Sequence, residues 1–346
     1  MSDAPIATLA VIGLGMATKP HLEALEELRG KVNVSGVFNR TRAKAEAVRD
    51  TFGFPVFDSL QAIADDPATD GVIIATPPNQ RARIVAVMAA AGKHILMEKP
   101  IERTLVAAGD LVKECADRQV TLGIVFQHRM RQGARRLRQL VDGGQLGELA
   151  LIRAEIPWWR DQAYYDVPGR GSYDRDGGGV LISQAIHVLD LMLSLTGPAR
   201  SVQALAATTR MHRLEAEDFA TAGVTFDNGA VGSIVATTAT FPGEQERLVI
   251  DGTFGTAVLT GGRLDVHWRD GRSETVGDVS GTGGGSDPMA FPCDWHRDLI
   301  HDFAQSIRDR RPPCITGHEG LRVHRLIDAM TRSAATGCIV NVEETP

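Results

Sequence analysis

The sequence predicts an α/β protein in which a doubly wound parallel sheet is followed by an α+β domain with an open, largely antiparallel sheet. Three observations carry this reading. Up to residue 126, short β-branched runs alternate with longer helical patterns. Those runs are apolar throughout, as strands are when helices cover both faces of a parallel sheet. From residue 199 to 276 the pattern is mostly strand, broken by turn signals. At ~100–200 residues per domain, 346 residues with 43% hydrophobic content suit two cores, expected at 1–126 and 127–346.

Strands are expected at 6–12, 32–38, 71–75, 94–97 and 120–126, with helices at 20–28, 41–52, 80–91 and 104–118. A helix at 131–142, a strand at 148–157 and a loop rich in aromatics, Gly and Arg come next. The long pattern 179–195 is apolar on nearly every side, which predicts a buried helix. Asp227-Asn228-Gly229, Thr260-Gly261-Gly262 and Asp270-Gly271 are hairpin turns. Residues 281–286 read as a flexible loop. Helices at 294–310 and 319–336 precede a last strand at 338–342.

Lys+Arg is 37 and Asp+Glu is 43, a net charge of −6, which argues against nucleic-acid and anionic membrane partners. No apolar run reaches the ~18 residues of a membrane span. The N-terminus shows no basic-then-apolar secretory pattern. The four cysteines, Cys115, Cys293, Cys314 and Cys338, form no CxxC pair. A reduced cytoplasm and no structural metal are therefore expected. Arg129, Arg131, Arg135, Arg136 and Arg138 read as a solvated helix face.

Three local features point to chemistry. Gly13-Leu14-Gly15-Met16-Ala17-Thr18 follows the first strand and opens a helix, the context of a dinucleotide phosphate loop. Gly13 permits the tight turn, and Gly15 lets the backbone approach a pyrophosphate. Thr18 stands where a third Gly is usual. The second strand ends at Asn39-Arg40-Thr41-Arg42 in place of the carboxylate that accepts from a ribose 2′-OH, which favours NADP or dual use. Glu98-Lys99-Pro100 follows the fourth strand at its carboxyl end, where Lys99 can exchange a proton with a hydroxyl or stabilise an alkoxide. A surface lysine is the competing assignment.

On the buried helix, Ser183, His187, Asp190 and Ser194 recur at intervals of four, three and four, on one stripe. His187 is its proton carrier, or else a core histidine bonded to Asp190 or Ser183. Pro157-Trp158-Trp159-Arg160, Tyr164-Tyr165 and Arg170 read as a pocket wall.

With these pieces the chain resembles the Gfo/Idh/MocA oxidoreductases, which include relatives of glucose–fructose oxidoreductase and inositol dehydrogenase. The matching residues are Gly13 and Gly15, Ala75-Thr76-Pro77-Pro78-Asn79, Ala91-Gly92-Lys93-His94, Glu98-Lys99-Pro100, and Gly177-Gly178-Gly179 with His187-Val188-Leu189-Asp190. Asp302-Phe303 also fits. The resemblance implies an N-terminal Rossmann domain, a C-terminal domain with an open sheet, and homodimers or homotetramers. It implies Lys99 and His187 as catalytic residues. Thr76, Pro77, Asn79, Glu98 and Lys99 would line NAD(P), and Gln127 would meet the nicotinamide end. Trp159, Arg160, Tyr165 and Ser183 would join Lys99 and His187 around a small-molecule substrate. Two positions depart: Ser183 stands where Asp or Asn is usual, and Arg81 where His is. The expected reaction is hydride transfer to or from a secondary alcohol of a sugar, inositol or related cyclic polyol. Glycoside cleavage through transient oxidation by held NAD, and a dinucleotide-binding regulator without turnover, are the alternatives.

Overall fold

A computed structural model describes residues 5–279 and 292–342. The expected loop at 281–286 lies outside the described residues. The chain begins with β1 (Ala7–Ile12), α1 (Lys19–Glu27), β2 (Val32–Phe38), α2 (Arg42–Phe52), α3 (Leu60–Asp65) and β3 (Gly71–Ile74). It continues through α4 (Arg81–Ala90), β4 (His94–Glu98), α5 (Leu105–Asp117) and β5 (Leu122–Val125). These strands form a five-stranded sheet of order β2-β1-β3-β4-β5. Every neighbouring pair is parallel. β3 and β5 are buried along their whole length, which is why their sequences carry no polar alternation. The short α3 was not expected. Ser59 caps it by accepting from the Ala62 amide at 3.0 Å.

Next come α6 (Gln132–Asp142), β6 (Leu149–Pro157), α7 (Gln162–Tyr165) and α8 (Ile186–Thr196). Seven strands follow: β7 (Ala199–Ala207), β8 (Phe219–Phe226), β9 (Val231–Thr237), β10 (Arg247–Gly252), β11 (Gly255–Thr260), β12 (Arg263–Trp268) and β13 (Ser273–Val276). Then come α9 (Asp294–Asp309), α10 (Gly317–Thr336) and β14 (Val340–Asn341). The described residues of β6–β14 form a nine-stranded sheet, β13-β12-β11-β10-β6-β9-β8-β7-β14. Its neighbours are antiparallel except β6 and β9, which run parallel. Gly229, Gly261 and Gly271 turn the three expected hairpins with positive φ. Among the described residues no helix is long and apolar enough to cross a membrane.

The expected helix 179–195 is not uniform. Leu181–Ala185 is a π-helical turn that leads into α8. Its start is pinned by Glu217, whose carboxylate accepts from the Gly179 and Leu181 amides at 3.1 and 3.0 Å. A Cβ on Gly179 would lie 1.8 Å from the Glu217 carbonyl oxygen, so only glycine permits this approach.

The chain divides into two compact units. The first holds the described residues of Met1–Glu102, Val106–Gln127 and Pro292–Gly320; the second holds those of Arg103–Leu105, His128–Phe291 and Leu321–Pro346. A single division at 126/127 thus needs correcting, because Gln127 and residues 292–320 belong to the first unit and residues 103–105 to the second. Leu299, Ile300, Phe303 and Ala304 give α9 a buried apolar face. The Ile124 amide of β5 donates to the Ile315 carbonyl at 3.1 Å, tying that return segment to the sheet.

Candidate active site

In the first unit, the strand order reverses between β1 and β3, and ligands of such sheets bind outside the carboxyl ends of the strands. The loop after β1 sits there. Gly13 has φ +93°, and a Cβ on it would stand 2.7 Å from Thr76 Cγ2. Thr18, the residue in place of the third glycine, is buried and donates from Oγ1 to the Gly13 carbonyl at 2.8 Å. Gly15 and Met16 are exposed, and Ala17 is half-buried. Asn39 at the end of β2 accepts from the Leu14 amide at 3.1 Å, so its side-chain oxygen supports the loop backbone. Arg42 is committed to Glu46 and Asp58. Arg40 is exposed and has no ion-pair partner among the described residues.

Two side-chain oxygens at neighbouring strand ends test the fit of a dinucleotide. Thr76 Oγ1, after β3, and Gln127 Oε1, after β5, are buried without a hydrogen-bond partner among the described residues. Buried polar atoms ordinarily have partners, so these two suit a polar ligand. Pro77 is exposed and Asn79 half-buried in the same loop.

Lys99 is half-buried on the turn after β4 and joins Pro100 through a cis peptide bond. Glu98, expected along the cofactor, turns inward instead. Its Oε2 accepts from the Lys99 amide at 3.1 Å, and its Oε1 accepts from His21 Nε2 at 2.7 Å. His296 Nε2 of α9 lies 3.9 Å from the same oxygen. Burial alone would raise the Glu98 carboxyl, but the His21 hydrogen bond and the charges of His21, His296 and Lys99 outweigh it and lower it below the usual value. Burial and His21 depress His296 to about 3. His21, Glu98 and His296 have the donor chemistry of a metal site. The 2.7 Å His21–Glu98 spacing is nevertheless a hydrogen bond, since ligands ~2.0–2.1 Å from a tetrahedral ion stand ~3.3 Å apart.

In the second unit, α8 presents His187, 7% exposed. Its ring stacks on His128 with centroids 4.8 Å apart. Ser183 Oγ donates to the Gly179 carbonyl at 2.6 Å. Asp190 receives both Nε and Nη2 of Arg129 at 2.7 Å. Arg131 Nη1 bonds Glu246 at 2.5 Å, both side chains being buried, and Trp158 Nε1 also donates to Glu246. The expected solvated arginine face is therefore wrong for Arg129 and Arg131: both are interior cations held by carboxylates. Arg136 pairs with Glu274 near the surface.

The expected pocket wall also divides. Arg160 is 1% exposed, donates to the Trp159 carbonyl and to Gln184 Oε1, and stacks over Trp158 and Tyr164. Tyr165 is buried with its hydroxyl 2.6 Å from Thr238 Oγ1. Both are interior residues rather than wall. Trp159 is half-buried, edge-on to the exposed ring of Phe241.

The structure thus brings Gly13, Thr76, Glu98, Lys99 and Gln127 to one end of the first sheet, and Ser183 and His187 to one helix of the second unit. Sequence reasoning missed His21, His128, Gln184, Glu246 and His296. His128 adjoins Gln127 in a short 3-10 turn, a signal that could have been read.

Residues 7–126 match the "Oxidoreductase family, NAD-binding Rossmann fold", and residues 134–258 match the "GFO/IDH/MocA C-terminal domain". The D-xylose 1-dehydrogenase (NADP(+)) 2 of Haloferax volcanii is 26% identical over 97% of this chain and 98% of that protein. The myo-inositol 2-dehydrogenase of Thermotoga maritima is 23% identical, with the same coverage of each. The WlbA dehydrogenase of Bordetella pertussis, solved with NADH and UDP-GlcNAcA, superposes with a TM-score of 0.83 at 26% identity, covering 99% of this chain and 100% of that one. Both halves of the sequence match domains of one group: the chain belongs to the Gfo/Idh/MocA family of NAD-binding oxidoreductases.

Proposed function

We propose that the protein oxidises, reversibly, a secondary alcohol carbon of a sugar, inositol or related cyclic polyol. The observation that carries this reading is the placement of Lys99 beside two strand ends that hold the unpartnered Thr76 Oγ1 and Gln127 Oε1. The relatives named above are dehydrogenases, which supports hydride transfer over glycoside cleavage or regulation without turnover.

A dinucleotide would be held by the Gly13–Gly15 loop, with Thr76 and Gln127 toward its reactive end. Its nicotinamide supplies the acceptor or donor of the hydride. The protein's own work is at the hydroxyl. Lys99 Nζ accepts or gives the hydroxyl proton and stabilises negative charge on the oxygen. His187 on α8 is the second candidate proton carrier, an imidazole that exchanges protons near neutral pH. The same reading makes Trp159 a flat apolar face for a ring and Ser183 a hydroxyl contact. A guanidinium at Arg40, with no carboxylate at position 39, supports use of NADP as well as NAD. Exposed Leu151, Val231, Val235 and Leu205 on the second sheet support a homodimer or homotetramer. Four free cysteines support a reducing, cytoplasmic setting.

The test is a panel of D-xylose, D-apiose, levoglucosan and myo-inositol with NAD+ and NADP+, read by reduced-nicotinamide absorbance. Turnover of at least one polyol is expected. Tight cofactor binding with all four compounds silent would sink the reading.

A further inference from the structure

Arg81 opens α4 and is 2% exposed. A guanidinium so placed needs acceptors for its fan of N–H groups. Its bonds go to main-chain carbonyls. Nη2 and Nε donate to the Thr76 carbonyl at 2.7 and 3.1 Å. Nη1 donates to the carbonyls of Glu98 and Pro100 and approaches that of Ile101 at 3.5 Å. Glu98 and Glu102, both buried, supply the compensating charge.

These acceptors belong to two segments. Thr76 leaves β3 toward the Pro77–Asn79 loop. Glu98, Pro100 and Ile101 leave β4 and flank Lys99 on both sides. A planar fork carries its donors on separate nitrogens, so Nε and Nη2 serve one segment while Nη1 serves the other. Lys99 is further held through its amide, which donates to the Glu98 carboxylate backed by His21. The turn is thus fixed through its carbonyls and through its amide.

We propose that Arg81 is a positioning residue for the reaction: its guanidinium locks the Lys99 turn to the Thr76 loop and so sets where Lys99 Nζ stands relative to Thr76 and Gln127. The proposal rests on the reading of Lys99 as proton carrier, and its test separates the two.

Arg81→Lys keeps the charge and removes the fork. Amide exchange, read by mass spectrometry, needs no turnover. Segments 75–80 and 98–102 are expected to exchange together on the order of tenfold faster, with β1 and β2 at the parent rate. With the fastest polyol among D-xylose, D-apiose, levoglucosan and myo-inositol, kcat is expected to fall on the order of 100-fold while KM stays within about threefold. In a Lys99→Ala background, Arg81→Lys is expected to add no further loss. Parent-like exchange in either segment overturns the proposal, and so do losses that multiply in the double variant. Full turnover by Lys99→Ala alone overturns the reading of Lys99, and exchange then still decides whether the clamp exists. If Arg81→Lys does not fold, Arg81→Gln, which retains two donors in the same plane, is carried through the same measurements.

Discussion

At the scale of single residues, the strongest expectation concerns Lys99. Replacing it with Ala should cost ~100–10,000-fold in kcat at saturating cofactor, with NADH titration by fluorescence still showing saturable binding. Arg40 gives a second expectation. Arg40→Glu should weaken NADPH binding by about tenfold or more, because a carboxylate repels a 2′-phosphate, and should leave NADH binding nearly as it was. Equal losses for both cofactors would remove the argument for NADP. The positions of Gly13 after β1, Lys99 after β4 and His187 on a buried helix were legible because each lies in a strand–turn or helical pattern. Glu98 was placed correctly along the chain and assigned the wrong surroundings, since its partners sit on α1 and α9. Glu246 is 115 positions from Arg131, so no spacing rule connects them. Ser183, which stands where Asp or Asn is usual, donates to the Gly179 carbonyl, and Asp190 of the same stripe is held by Arg129.

At the scale of elements, the meeting of α1, β4 and α9 around Glu98 has a consequence for stability. His296 titrates at about 3 in the fold and near 6.5 when unfolded. The folded chain therefore binds fewer protons between these values, and stability falls as pH falls through that window. Glu98, lowered in the fold, is also lost on acidification, so the two effects share a sign. The groups facing them are His21, the Lys99 ammonium and the Arg81 guanidinium. Urea midpoints are expected to be flat above about pH 7 and to drop toward about pH 4, with a shallower drop in His296→Phe. An unchanged slope in that variant would exclude His296 as the source. The elements themselves were largely readable: the apolar strands, the three hairpins and the longer helices follow from periodicity and turn chemistry. The π-helical turn at Leu181–Ala185 was not, because it is imposed by Glu217, a residue on another stretch of chain. α3 and α7 were too short to show a period.

At the scale of the whole molecule, the second sheet leaves an apolar ladder in solvent. Leu151 pairs across β6 and β9 with Val231, and both are exposed. A second copy covering this face predicts a dimer or tetramer by light scattering, and Val231→Lys is expected to shift the population toward monomer without altering the far-UV spectrum. A parent protein that is monomeric at all concentrations would end this idea. The turn signals made the strands of this sheet legible, yet no sequence rule assigned α9 to the first unit. That assignment rests on the return of residues 292–320, whose Ile300 and Phe303 are fully enclosed. During synthesis a ribosome must therefore have emitted nearly nine-tenths of the polypeptide before the nucleotide-binding half can complete its interior. A clone ending at Gln127 would translate a torso with a raw flank where α9 belongs, and it should reach the pellet, not the supernatant, when cells are broken open.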